Sequence, residues 1–170
     1  DDDIPQAVAM GTADLGIVGL NEVEEKGVDV HRIIPLGFGG CRLSLAVPRE
    51  ADYKGLEWFN GRRIATSYPA ILSRFLKEKE ISAEIHTITG SVEIAPAIGM
   101  ADAIFDIVSS GGTLIQNGLV EVESVLESQS VLIATPDLPA EKQEELDKLC
   151  FRFRSIIESR GMKYVLMNLP

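Results

Sequence analysis

A repeat at a constant offset of 88 residues is the feature of this sequence that most constrains its fold. The segments AVAMGTADLGIVG and APAIGMADAIFDIV share residue types at the pairs Ala7/Ala95, Ala9/Ala97, Gly11/Gly99, Ala13/Ala101 and Asp14/Asp102. At the same offset, Ala46 and Pro48 match Ala134 and Pro136. Because the offset does not drift, we predict two similar lobes, each with a helix, a tight Gly-x-Ala-Asp turn, a strand and a crossing segment. The alternative is that Gly-x-Ala-Asp is merely a common helix-to-strand turn.

Short apolar runs alternate with amphipathic segments along the chain. The runs with the composition of short, mostly buried strands are DLGIVG, CRLSLAVP, RRIATS, AEIHTI, AIFDIV, SVLIAT and KYVLMNL. Helices are predicted for IPQAVAMG, PAILSRFLKEKE, VEIAPAIGMA and residues 140 to about 160. This alternation indicates an α/β fold with mostly parallel sheets, in which ligands bind at the carboxyl ends of strands. In a two-lobed protein we expect those ends to border a cleft.

The charge of the chain argues against nucleic acid as a partner. The net charge is −10, and the Lys and Arg residues are scattered rather than clustered as a duplex-binding surface requires. No run approaches the ~20 apolar residues of a membrane span, and DDDIPQAV does not resemble a signal peptide. We therefore expect a cytoplasmic protein without a membrane partner. Cys41 and Cys150 are too few for a disulfide framework, and no zinc-ligand spacing is present.

The stretch ADAIFDIVSSGGTLIQNGL places one acid, Asp106, near the end of a predicted strand. A Ser-Ser-Gly-Gly-Thr turn and a short helix follow it. The serines can cap that helix, and the glycines allow a close approach of the backbone to a ligand. We interpret the loop as a phosphate site with the acid near ribose hydroxyls, whereas the alternative is that the glycines are simple turn residues.

The segment GSVEIAPAIGMADAIFDIVSSGGTLIQNGL resembles the signature of the ATP phosphoribosyltransferases, which catalyse the first step of histidine biosynthesis. The matching positions are Glu93, Gly99, Asp106, Ser110, Gly111, Thr113 and Leu114. The resemblance continues through DDDIPQAV, DLGIVG, GFGGCRLSLAVP and RRIATSYP, so it covers nearly the whole chain. It implies a fold similar to the type II periplasmic binding proteins, with mostly parallel sheets in two lobes joined by crossing segments. We assign residues 1–40 and 135–170 to lobe I, without its N-terminal strand, and residues 41–134 to lobe II.

The reaction implied by the resemblance is attack of N1 of ATP on C1 of phosphoribosyl pyrophosphate, with release of pyrophosphate. The residues that would bind phosphoribosyl pyrophosphate are Asp106, Ser109, Ser110, Gly111, Gly112, Thr113 and Leu114. The two candidate catalytic residues are Asp106, near the ribose hydroxyls, and Glu93, beside it. Either could also orient Mg²⁺, the expected cofactor, through water, and the metal ligands are left open. The weaker candidates for the ATP side are Asp14, Gly16, Arg42 and Tyr68.

Two further expectations concern the whole protein. Members of this family carry an opening segment with a first strand and a basic turn, and the long form continues into a histidine-binding domain. SRGMKYVLMNLP looks like the junction to that domain, so we interpret the chain as the catalytic region of the long form, a homo-oligomer when full length. A non-catalytic solute-binding module of two lobes is the alternative function. Phosphoribosyltransferases of the other fold are a third option. Their phosphate loop usually carries two adjacent acids before its Thr-Gly turn, whereas this sequence has only Asp106.

Overall fold

The computed structural model describes residues 3–163 and 166–167. Its strands are β1 (Leu15–Gly19), β2 (His31–Pro35), β3 (Cys41–Pro48), β4 (Arg63–Thr66), β5 (Glu84–Thr87), β6 (Ala103–Val108), β7 (Leu119–Ser128) and β8 (Ser130–Ala134). Its α-helices are α1 (Ile4–Ala9), α2 (Leu20–Lys26), α3 (Pro69–Glu78), α4 (Gly112–Gln116) and α5 (Ala140–Ser159). Short 3₁₀ turns occupy Leu56–Phe59 and Val92–Ile94. No helix in the described part of the chain is long and apolar enough to cross a membrane.

The strands form two separate sheets. The smaller sheet has the order β1-β8-β2, and the larger sheet has the order β5-β4-β6-β3-β7. The two-lobed α/β class is therefore confirmed. The expectation of mostly parallel sheets is corrected, because among the described strands only the pairings of β4 with β5 and β6 are parallel. The antiparallel pairings arise where a crossing strand from one half of the chain enters the sheet of the other half.

The crossing strands reproduce the repeat. β1 pairs antiparallel with β8, and their counterparts at the offset of 88 residues, β6 and β3, also pair antiparallel. The turns before β1 and β6 match as well, since Gly11 N–H donates to Val8 O and Gly99 N–H donates to Pro96 O. Both glycines have positive φ, +70° and +75°, a conformation that favours glycine. The repeat is thus one folding unit used twice, rather than a common turn alone.

The strand β8 also bears on the predicted lobe boundaries. Residues 130–134 were assigned to lobe II, but they form the central strand of the smaller sheet. The physical reason is the crossing itself: the chain leaves the larger sheet after β7 and returns to pair with β1 and β2. The remaining lobe assignments stay a prediction.

Most of the predicted elements are present, with a few differences. β3 and β6 have the predicted bounds, and α3 and α5 begin at the predicted residues. The helix predicted for VEIAPAIGMA is reduced to the 3₁₀ turn Val92–Ile94, because Pro96 removes a backbone donor from what would be its interior. The strand predicted for KYVLMNL falls largely outside the described residues.

The larger sheet is covered on both faces by apolar clusters. Along β3, Leu43, Leu45 and Val47 point into the cluster that contains Phe59, Leu72 and Phe105. Ala46, between them, points into the opposite cluster, which contains Ile104, Val108 and Leu114. The second cluster lies beneath the loop that follows β6, so this loop stands on a packed base.

Candidate functional site

The carboxyl end of β6 forms the floor of a small cavity. A volume of about 200 Å³ is lined by Glu93, Asp106, Ile107, Val108, Ser109, Ser110, Gly111, Thr113 and Leu114. The structure therefore brings together the acid, the serine-glycine turn and the second candidate acid. Gly112 begins α4 between the two lining residues Gly111 and Thr113. The cavity has polar walls and is large enough for a phosphate group with part of a sugar.

The backbone of the loop offers unused hydrogen-bond donors. In the described structure, the N–H groups of Gly111, Gly112 and Thr113 donate no hydrogen bond to another protein group. The first N–H groups of a helix lack partners inside the helix, so they are free for an anion. Ser109 and Ser110 are exposed and line the same cavity, so their hydroxyl groups are also available to a ligand. The arrangement can surround a phosphate with neutral donors, which suits an acidic protein.

The side chains of the loop differ in what they can contribute. Gly111 has φ +78°, so a side chain there would be strained whatever the available space. Gly112 has ordinary backbone, and a Cβ there would meet only the Ser110 hydroxyl at 3.7 Å. Leu114 is 6% exposed and packs into the apolar cluster beneath the loop. Leu114 thus supports the loop from below while also bordering the cavity, and its assignment to the phosphoribosyl pyrophosphate site stays a prediction.

Burial sets the electrostatics of Asp106. Desolvation raises the pKa of its carboxyl, the nearby negative charge of Glu93 adds to this, and the N–H of Ile107 acts against it. The two acids therefore lie within electrostatic range of each other. A polar ligand that brings hydroxyl donors to Asp106 would stabilise its charged form.

Arg42 lies next to this cavity rather than on a separate side. Its Nε and Nη2 atoms donate to the two carboxylate oxygens of Glu121, and its Nη1 lies 3.4 Å from the carbonyl oxygen of Ser109. A second cavity of about 510 Å³ adjoins the first and is lined by Leu20, Gly37, Phe38, Gly40, Cys41, Arg42, Ser109, Glu127, Ser128 and Gln129. Its walls combine residues of β3 and β7 in the larger sheet with residues of the segments that follow β1 and β2 of the smaller sheet, so the space between the lobes continues from the loop.

Asp14 and Gly16 line neither of these two cavities. Asp14 accepts from Lys142 Nζ at 2.7 and 2.8 Å, which ties the start of β1 to α5. A Cβ on Gly16 would lie 2.7 Å from Ile4 Cγ2, so this glycine allows α1 to pack closely against β1. The local contacts of both residues are structural, which leaves their assignment to the ATP side without support from the geometry.

Tyr68 is buried where the two lobes meet. It is 9% exposed, and its Oη donates to Glu22 Oε1 at 2.9 Å. Asn21 Nδ2 donates to the Tyr68 Oη at 3.3 Å. Burial raises the pKa of Tyr68 strongly, and the negative charges of Glu22 and Asp106 add to it. Tyr68 thus lies within electrostatic range of Asp106, but its ring packs in the core and does not face open space.

The polar contacts between the lobes were missed in the sequence. Asn21 N–H donates to Ser128 Oγ, and Ser128 Oγ donates back to Asn21 Oδ1 at 2.8 Å. Glu25 accepts from the N–H groups of Ala70 and Ile71 at 2.8 and 2.9 Å. These residues are widely separated along the chain, so spacing carried no signal. The sequence does offer one signal. The segment LNEVEEK is rich in acids, and the helix that begins at Pro69 has N–H groups in its first turn that need acceptors from elsewhere in the chain.

The described residues contain no group of three or more His, Cys, Asp or Glu side chains arranged to hold a metal ion. Asp106 and Glu93 nevertheless face one cavity. Mg²⁺ keeps several waters and commonly takes only one or two protein carboxylates together with substrate phosphates. The two carboxylates therefore fit an ion that arrives with a phosphorylated ligand.

Comparison with known proteins agrees on one family. The family model described as ATP phosphoribosyltransferase matches residues 1–155. The ATP phosphoribosyltransferases of Parabacteroides distasonis and Bacteroides thetaiotaomicron are 61% and 58% identical over all 170 residues of this chain. The chain spans 60% of the length of each of these relatives.

Solved structures show the same fold. The ATP phosphoribosyl transferase (HisG:HisZ) complex from Thermotoga maritima contains a chain with a TM-score of 0.82 and 27% identity, covering 92% of this chain and 76% of that one. The periplasmic aliphatic sulphonate binding protein SsuA from Escherichia coli has a TM-score of 0.61 at 16% identity, covering 93% of this chain and 62% of that one. The second likeness concerns the fold alone.

Proposed function

Since the chain belongs to the ATP phosphoribosyltransferase family, we propose that the cavity at the end of β6 binds the phosphoribosyl group of phosphoribosyl pyrophosphate. The observation that carries the proposal is a run of three N–H groups, at Gly111, Gly112 and Thr113, that donate to no acceptor among the described residues. Gly111 and Thr113 line one cavity with Asp106. The N–H groups would hold the 5-phosphate, and Asp106 would accept hydrogen bonds from the ribose hydroxyls.

The reaction that we propose for the whole protein is the first step of histidine biosynthesis. N1 of ATP attacks C1 of the ribose, the bond from C1 to the pyrophosphate oxygen breaks, and phosphoribosyl-ATP forms. Positive charge builds on the ribose as that bond breaks, so a negative Asp106 beside the sugar favours the transition state. Holding two bound substrates in register supplies much of the remaining acceleration. The described structure presents no Ser-His-Asp arrangement at this cavity, and the reaction does not require one.

In this proposal, ATP binds in the larger of the two cavities. It adjoins the loop at Ser109 and has a volume of about 510 Å³. Of the four residues that the sequence suggested for ATP, Arg42 has support from the geometry, because it lines this cavity and its Nη1 donates to the carbonyl oxygen of Ser109. Mg²⁺ bound with the pyrophosphate would neutralise the leaving group, and Asp106 and Glu93 are the carboxylates that could orient its waters.

We also propose that the full-length protein acts in the cytoplasm as a homo-oligomer. The complex from Thermotoga maritima supports assembly for a protein of this fold. Light scattering of the chain extended to the length of its relatives would measure the assembly state. A monomer at micromolar concentration would contradict the proposal.

Binding by this chain tests the site directly. Two ligands, ribose 5-phosphate and phosphoribosyl pyrophosphate, are each titrated by calorimetry with and without Mg²⁺. Both should bind, and Mg²⁺ should strengthen the binding of phosphoribosyl pyrophosphate only. Gly112→Val should abolish both, because its side chain fits the free protein but fills the phosphate space. Gln116→Val, an exposed position at the end of the same helix, is the matched control. A solute-binding module would show no metal-dependent preference, and unchanged binding by folded Gly112→Val would place the phosphate elsewhere.

A further inference from the structure

An irregularity in β7 sets the direction of one acidic side chain. β7 pairs with β3 with a register shift between Leu45 and Ala46, so that Glu123 lies opposite Leu45 and Glu121 opposite Ala46. Leu45 and Ala46 point to opposite faces of the sheet. Two residues that would share a face of a regular strand are thereby placed on different faces, as bulges commonly do near functional sites. Glu121 lies on the face of Asp106.

On that face, the Glu121 carboxylate joins three donors from β3. It accepts from Nε and Nη2 of Arg42 and from the hydroxyl of Ser44 at 2.8 Å. Ser44 is 1% exposed and lies directly opposite Asp106 in the pairing of β3 with β6. A bidentate pair of this kind fixes both the position and the plane of the guanidinium.

The remaining arm of Arg42 leads to the phosphate loop. Its Nη1 lies 3.4 Å from the carbonyl oxygen of Ser109, the first residue after β6. Arg42 donation lowers the pKa of Glu121, and donation to Glu121 raises the pKa of Arg42, so both groups stay charged. One carboxylate on the edge strand is thus connected to both the start of the loop and the strand position of Asp106.

We propose that Glu121 is a positioning residue for the phosphate loop, acting through Arg42 on Ser109 and through Ser44 beside Asp106. The proposal rests on the function proposed above. It assigns Glu121 no contact with substrate. Without its charge, Arg42 loses the fork that orients it and Ser109 loses a fixed neighbour, so the N–H groups of the loop are no longer held for a phosphate.

The test compares Glu121→Gln with Glu123→Gln. The first keeps the size of the side chain but places an NH₂ group against the Arg42 donors. The second makes the same chemical change two residues away, on the other face of the sheet. Calorimetry with ribose 5-phosphate should show about tenfold weaker binding for Glu121→Gln and less than about twofold for Glu123→Gln, tenfold corresponding to about 1.4 kcal/mol.

Arg42→Lys supplies a second, independent variant. It keeps the positive charge but cannot serve both Glu121 and Ser109, so it should weaken ribose 5-phosphate binding by a similar factor. If the two residues act as one unit, the double variant binds no more than about twofold more weakly than either single variant. Multiplied losses would show that Glu121 acts independently of Arg42 and would overturn the proposal.

A readout without ligand separates this proposal from the proposed function. The amide NMR signals of Gly111 and Gly112 should shift in Glu121→Gln and stay in place in Glu123→Gln. The two variants should have the same melting temperature, which shows that both are equally well folded. Unchanged loop signals, or equal ligand affinity of the two variants, would overturn the positioning role. If the wild-type chain itself fails to bind ribose 5-phosphate, the proposed function fails, and the amide signals still decide whether Glu121 holds the loop.

Discussion

Glu25 provides a stabilising contact across the two lobes that can be tested by its removal. The first turn of α3 has no capping side chain of its own, since its N-cap is Tyr68, and Pro69 at the first position has no N–H. The next two N–H groups, of Ala70 and Ile71, are satisfied by Glu25 from α2. Glu25→Ala therefore leaves two donors at this helix start without an acceptor.

The expected loss follows from these two bonds. Each hydrogen bond of this kind is assigned about 1 kcal/mol, the typical value for a helix cap, so Glu25→Ala should cost about 2 kcal/mol. For a chain of this size, that lowers the melting temperature by about 4–8 °C. Glu25→Gln has one acceptor oxygen and should lose about half as much.

The neighbouring acid supplies the control. Glu24 makes ion pairs with Arg32 and Arg74 at the surface, so Glu24→Ala should cost less than about 1 kcal/mol. Urea unfolding followed by the fluorescence of Trp58 and by circular dichroism measures both losses and checks that one transition is seen. Equal losses for Glu24→Ala and Glu25→Ala would refute the capping argument, as would a loss of under about 0.5 kcal/mol for Glu25→Ala.

Three further predictions concern acids and the loop. Asp106→Asn should raise the free energy of unfolding at pH 7 and weaken ribose 5-phosphate binding; because the folded-state pKa is raised, the gain should vanish in pH-dependent unfolding below the ordinary aspartate pKa. Asp102→Asn should lower stability by on the order of 1 kcal/mol at neutral pH, since Asp102 accepts from the backbone and guanidinium of Arg63. Arg63 lowers the pKa of Asp102, so this stability is present above the unfolded-state pKa, and wild type and variant should converge as pH falls through the folded-state pKa. Thr113→Ala should weaken ribose 5-phosphate binding by about 0.5–3 kcal/mol in calorimetry, and no change would remove its hydroxyl from the site.

The buried elements of the fold could be predicted from the sequence because their signals are local. β3 and β6 are runs of apolar residues covered on both faces, and the repeat marked the turns at Gly11 and Gly99. α2, β2 and β7 were missed for physical reasons. β2 is a five-residue strand with three exposed positions, so it lacks the apolar run of a buried strand. α2 is only seven residues long, and β7 alternates valines with acids while its register shifts break the period of two.

Strand direction could not be predicted because it depends on which strands meet. An alternation of strands and helices indicates parallel pairing only when each strand stays in the sheet of its own half. Here β3 and β8 exchange places between the halves, and both enter antiparallel.

The candidate site shows the same division. Asp106 and the loop from Ser109 to Thr113 are contiguous, so the sequence could indicate them together. The network of Tyr68, Glu22 and Asn21 depends on segments 46 or more residues apart, and only the packing of α2 against α3 brings them together.

During synthesis, the smaller sheet has to wait for its last strand. Among the described strands, β1 and β2 each pair with β8 and not with each other, so these two ladders cannot form until residues 130–134 have left the ribosome. The strands of the larger sheet all lie between residues 41 and 128 and are complete earlier. At about 5–20 residues per second, β1 and β2 wait on the order of ten seconds for β8, and during that time the edges that β8 will cover are open to chaperones or to neighbouring nascent chains.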